Sequence, residues 1–110
     1  MPLEALVQAA DSLEGVRRRD LAPGDRVMVA TRNSIYLLTA LVDGAFLARG
    51  GCFERFGSSP AQIGVLGCSA GGSALFTGIV AAPGLFLEFD TGVRTTRIQR
   101  VRLLRDAPER

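Results

Sequence analysis

The stretch DRVMVATRNSIYLLTALVDGAFLAR, residues 25–49, decides the fold class. Val27, Val29 and Thr31 alternate with Arg26, Met28 and Ala30. A period of two places alternate side chains on opposite faces of a strand. A second strand is predicted from Ile35 to Val42, and a third from Ala45 to Arg49. Asp43-Gly44 between them is a strong hairpin signal, because the favoured two-residue turns need positive φ. Pro23-Gly24 turns the chain into the first strand.

Working outward, Gly50-Gly51 breaks or bulges the third strand, and residues 57–61 form a loop. Gln62 to Leu66 is the next predicted strand, Gly67 to Ser73 a glycine-rich connection, and Ala74 to Val80 a further strand or a short buried helix. Pro83-Gly84 turns the chain again. In Leu85 to Asp90, Leu85, Leu87 and Phe89 share one side, with Phe86 and Glu88 on the other. Thr91-Gly92 leads into Val93 to Arg105, one or two strands whose parity slips. Ile98 falls in phase with Arg100 and Arg102 rather than with Val101 and Leu103. A bulge or short 3₁₀ turn near Ile98–Gln99 would repair it.

Upstream, Leu3, Leu6, Val7, Ala10 and Leu13 follow helical spacing, with Glu4, Gln8 and Asp11 off the stripe. Residues 3–14 are therefore predicted as an amphipathic helix stopped at Gly15, followed by a polar linker through Arg17, Arg18, Arg19 and Asp20. Frequent turns between short strands, without βαβ spacing, predict a mainly β chain. The expected form is a small antiparallel barrel or sandwich of about six to eight strands with one N-terminal helix. At 110 residues it is one domain, 1–110, with the helix at 3–14, the linker at 15–24 and the β domain at 25–105.

The composition removes several chemistries. There is no histidine, hence neither the usual general base nor the commonest transition-metal ligand. Gly67-Cys68-Ser69-Ala70-Gly71 fits the G-x-S-x-G of a nucleophile elbow. That elbow needs a histidine to take the serine proton, and a lysine base is absent as well. Gly67 to Gly72 has phosphate-loop spacing, but Ser73 and Ala74 stand where such a loop needs Lys and then Ser or Thr. Cys52 and Cys68 are spaced neither as a redox pair nor as a zinc half-site; a disulfide between them is geometrically possible, and two buried free thiols is the simpler reading. No metal and no cofactor are expected. The start has no basic leader region, and Pro83-Gly84 cuts the longest apolar run. A cytoplasmic location without a membrane partner is expected.

All 13 basic residues are arginine. Arg94, Arg97, Arg100, Arg102 and Arg105 form a run that meets no acid until Asp106. Such a run either neutralises phosphates of a nucleic acid or protects a sheet edge. Arg32, Asn33, Ser34 and Tyr36 form the second candidate site. They make either a tight turn or a small polar pocket for a carboxylate or phosphate.

Two resemblances follow from these residues. Arg17–Arg19 and Ser69–Gly72 resemble the arginine entry and the serine–glycine part of the cyclic-dinucleotide-binding PilZ barrels. Gly67 stands where that family has Asp or Asn, and about two extra strands intervene. Separately, Thr31-Arg32-Asn33-Ser34-Ile35-Tyr36, Gly50-Gly51 with Phe53, Gly67 to Ser73, Leu87-Glu88-Phe89 and Thr95 to Ile98 occur in order. They resemble the TRNS-x-Y, GG-x-F, GS-x-x-GGS, LEF and TS-x-V/I blocks of a group of small bacterial β proteins. That resemblance covers residues 23–104 and implies a β fold, with Cys68 and the arginine-rich tail as departures. The leading functional expectation is a non-enzymatic interaction or assembly module, as a homo-oligomer or with a protein partner. The alternative is a small barrel that binds nucleic acid through the C-terminal arginines, and the third a PilZ-like nucleotide sensor.

Overall fold

The alternation around Val27 and Val29 is realised as an antiparallel meander. The computed structural model describes residues 15–57, 59–71 and 74–105. In chain order it contains β1 (Val16–Arg17), a 3₁₀ turn (Arg18–Asp20), β2 (Arg26–Thr31), β3 (Ile35–Ala40) and β4 (Phe46–Gly50). There follow α1 (Gly51–Arg55), β5 (Ala61–Ile63), β6 (Val65–Ser69), β7 (Leu75–Phe76), β8 (Ile79–Ala81), β9 (Phe86–Phe89) and β10 (Arg94–Leu104). The predicted helix at 3–14 lies outside the described residues.

Eight strands make one antiparallel sheet in the order β5-β4-β3-β2-β10-β9-β6-β7, and β1 pairs with β8 in a separate ribbon. The sheet does not close. Its end strands β5 and β7 are not bonded to each other, so the barrel form of the expectation gives way to an open, folded sheet. The two halves nevertheless share one core. Val27, Val29 and Leu38 from one half and Cys68, Leu87 and Phe89 from the other belong to a single buried cluster. Tyr36, Phe53 and Phe89 meet at its centre, with Phe53 and Phe89 5.2 Å apart edge to face and Tyr36 5.8 Å from Phe89. Val16, Val80 and Ala81 of the ribbon join the same cluster from the inner side. Each fully buried Val or Leu here stabilises by roughly 1.5–3 kcal/mol relative to exposure.

β10 joins the halves, pairing with β9 at Arg94 and Arg97 and with β2 from Ile98 onward. Its register shifts between Arg94 and Arg97 and again between Ile98 and Arg100. The second shift is the bulge that the parity slip requires. Each extra residue delays the next inward position, so Thr95, Ile98 and Val101 are the buried ones. The Thr95 hydroxyl accepts from the Leu87 N–H at 3.1 Å and donates to the Thr96 carbonyl at 2.7 Å, filling the gap in the ladder.

Four local expectations are corrected. Gly50-Gly51 does not merely break a strand but starts α1, which carries Cys52 and Phe53 into the core. Gly67 to Ser69 is strand β6, not a connection. Ala74 to Val80 is two short strands around Thr77-Gly78. Within the predicted linker, Val16 and Arg17 pair with β8.

Candidate binding surface

The Thr31–Tyr36 cluster divides. Thr31 and Ser34 close a tight turn: the Thr31 N–H and hydroxyl both donate to the Ser34 carbonyl, at 2.8 and 3.1 Å. The Ser34 N–H donates back to the Thr31 hydroxyl at 3.1 Å. Arg32 and Asn33 sit exposed at the tip. Tyr36 points the other way, because period two places it with Leu38 on the inner face. Only 3% exposed, it accepts from the Cys52 N–H at 3.4 Å, and burial raises its phenol pKa. The four residues therefore do not assemble into one polar pocket.

Ser69, at the end of β6, is held by a neighbouring carboxylate. The Ser69 hydroxyl donates to Glu88 Oε2 at 2.5 Å, and Arg94 Nε donates to the same oxygen at 2.8 Å. The Ser69 hydrogen bond, together with the Arg94 charge, holds the Glu88 carboxyl below its ordinary range, against a smaller opposing effect of burial. A carboxylate stabilised in this way is a poor base for the serine proton. A depressed carboxyl pKa contributes stability that is complete above the unfolded value and is lost as pH falls through the folded one. Glu88→Gln is therefore expected to cost roughly 1 kcal/mol near neutrality. The gap to the parent chain should narrow as urea midpoints are measured from pH 6 down to pH 3. A gap independent of pH would contradict the assignment.

Cys52 and Cys68 are both free and buried. Cys68 donates to the Val80 carbonyl at 3.4 Å, and burial pushes its thiol up to about 12. Only the thiolate attacks alkylating agents. Iodoacetamide at pH 8 should leave Cys68 unmodified in the native chain and label it in urea, as read by mass spectrometry of its peptide.

The members of the C-terminal arginine run differ in their partners. Arg94 pairs with Glu88, and Arg105 pairs with Asp25 at 2.9 Å while donating to the Asp20 carbonyl at 2.8 Å. Arg97 donates to the Gly84 carbonyl at 2.7 Å. Arg94 and Arg97 lie 5.8 and 4.8 Å from the centroid of the half-buried Phe86 ring. Phe86 thus carries two guanidinium groups, each within cation–π range. Arg100 and Arg102 have no partner among the described residues. They stand across from Ala30 and Met28 of β2.

This pairing locates a surface that the sequence reading did not single out. Directly opposed residues in an antiparallel ladder share a face. Arg100, Ala30 and Ile35 form one row across the outer face of the β5-to-β10 half; Arg102, Met28, Leu37 and Arg49 form the next. Leu104, Arg26, Thr39, Leu47 and Gln62 form the third. The centre is aliphatic: Met28, Leu37 and Leu47 are half-buried, and Ile35 is 60% exposed. Arg26, Arg49, Arg100 and Arg102 rim it, none with a partner among the described residues. These three rows contain no carboxylate. The signal was present in residues 26–40, where the second set of alternating positions is also largely apolar, with Met28, Ala30, Ile35 and Leu37.

Elsewhere, an open cavity of about 650 Å³ is lined by Arg17, Arg18, Arg19, Thr77, Gly78 and Ile79. Arg18 is occupied there. Its guanidinium donates to the Thr77 carbonyl at 2.9 and 3.1 Å and to the Val65 carbonyl at 2.7 Å, tying the 3₁₀ turn to β6 and the β7–β8 turn. Ser69 does not line this cavity, so the arginine and serine parts of the PilZ-like pattern do not meet in it. Among the described residues, no group of three or more His, Cys, Asp or Glu could hold a metal ion. Among them too, no buried side-chain polar atom lacks a hydrogen bond, and no helix is long and apolar enough to cross a membrane. Comparisons with protein-family models, curated proteins and solved structures find no match.

Proposed function

We propose that this chain is a non-enzymatic interaction module whose working surface is the outer face of the β5-to-β10 half. One observation carries the reading: an aliphatic centre of Met28, Leu37, Leu47 and Ile35 rimmed by four arginines, with no acid among its rows. Contiguous apolar surface with a polar rim is the anatomy of a docking site. The uniform sign of the rim selects an acidic partner and disfavours wrong ones. Two copies pressing these faces together would oppose arginine with arginine.

The alternative, nucleic-acid binding, draws on Arg94, Arg97 and Phe86. It is the weaker reading, because those guanidiniums already lie over the Phe86 ring, which is therefore not free to stack a base. The rows of the working face contain no aromatic side chain to stack on bases.

The test uses a labelled synthetic helical peptide with leucine along one side and glutamate along the other, followed by fluorescence anisotropy. Binding should weaken at least about tenfold in Arg49→Glu/Arg100→Glu and persist in Arg17→Glu/Arg19→Glu. Equal binding by both variants overturns the assignment. So does tight binding of a mixed-sequence single-stranded RNA that is lost in Arg94→Glu/Arg97→Glu.

A further inference from the structure

The partner chemistry defined by this face is present in the chain itself. Residues 3–14 combine an apolar stripe at helical spacing with Glu4, Asp11 and Glu14, and contain no basic residue. A helix of that length is marginal alone and requires a surface to pack on. We infer that residues 3–14 of a second copy dock on the arginine-rimmed outer face, so that two copies exchange their N-terminal segments. This inference rests on the functional reading of that face and names its occupant.

Three observations support it. The leucine and valine of the stripe match the aliphatic centre of Met28, Leu37 and Leu47, and the acids match Arg49, Arg100 and the rest of the rim. The segment also begins its path on the wrong side of its own sheet. Val16 is buried in the inner cluster and pairs with Ala81, while Gly15 lies against Ala81 and Ala82. Its own outer face therefore lies on the opposite side of the sheet from residue 15, whereas a neighbouring copy can present that face directly. Finally, exchange resolves the charge problem. Face against face opposes like charges, but segment on face pairs opposite ones twice about a two-fold axis, as in domain swapping.

A charge-swap pair of full-length chains tests this. In one, Arg49→Glu/Arg100→Glu reverses the face; in the other, Asp11→Arg/Glu14→Arg reverses the segment. Sedimentation should show the parent chain as a dimer that dissociates on dilution. Each variant alone should be weakened at least about tenfold in dimerisation, because its segment then meets a face of like charge. An equimolar mixture should recover the dimer, since each segment finds an oppositely charged face on the other chain. Docking within one chain gives no such recovery. Circular dichroism confirms that each variant is folded, and Arg26→Glu/Arg102→Glu serves if the first face variant is not.

A parent chain that is monomeric at every concentration overturns the exchange, and so does a mixture no more associated than its components. In either case the synthetic peptide still reports on the face: retained peptide binding leaves the functional reading standing, and lost binding removes both.

Discussion

Phe89→Ala is expected to destabilise the chain by about 3–5 kcal/mol, the usual range for emptying a buried phenylalanine site. Phe89 is 1% exposed and touches both other members of the aromatic centre, Tyr36 and Phe53. These three rings come from β9, β3 and α1, which are remote in sequence. Their contact is what folds one half of the open sheet onto the other. Truncation would remove the edge contact with Phe53 and the tilted contact with Tyr36 as well as the area that the ring buries. Tyr36 is also held by the Cys52 N–H, so it cannot swing into the vacancy without giving up that bond. A domain of this size is stable by about 5–15 kcal/mol, so the loss takes a large share. The urea midpoint should fall sharply, with Phe89→Leu losing less than half as much. A Phe89→Ala midpoint within about 1 kcal/mol of the parent would show that the halves do not depend on this cluster.

Sequence patterns made some of this fold legible and not the rest, for physical reasons. β2 to β4 were readable because alternation and Asp43-Gly44 are local signals. The β10 bulge was readable because Ile98 and Val101 could not otherwise both face inward. α1 was not, because five residues are too few to show a helical period. β1 was not, because its pairing of Val16 with Ala81 is remote in sequence. Gly67 misled in the opposite direction. It is a strand glycine that lets the Phe76 carbonyl approach closely, rather than a turn glycine. The arginine run was visible as a run, but the acids that occupy Arg94 and Arg105, Glu88 and Asp25, lie on other strands. The basic rim comes from β2, β4 and β10 together, and it takes the register to bring them side by side.

Gly50→Ala should be among the most damaging substitutions that add a single methyl group, at about 3 kcal/mol or more. Two costs combine. Gly50 has φ 87 and ψ −174, a region essentially restricted to glycine, where strain alone is roughly 1–3 kcal/mol. A Cβ there would also stand 2.3 Å from the Ile35 carbonyl oxygen. That oxygen is backbone of β3, the strand paired with Gly50 through Tyr36. It cannot retreat without displacing Tyr36 from the aromatic centre, and the shift would carry into α1 and its buried Cys52 and Phe53. Gly44 is the matched control. It has nearly the same φ, 88, but nothing lies within 4 Å of its would-be Cβ. Gly44→Ala therefore bears the conformational cost alone, about 1–2 kcal/mol. Urea unfolding of the two variants separates strain from collision. Equal losses would mean that the β3 backbone yields freely at Ile35, and the tight union of β3, β4 and α1 on which the core rests would then be wrong.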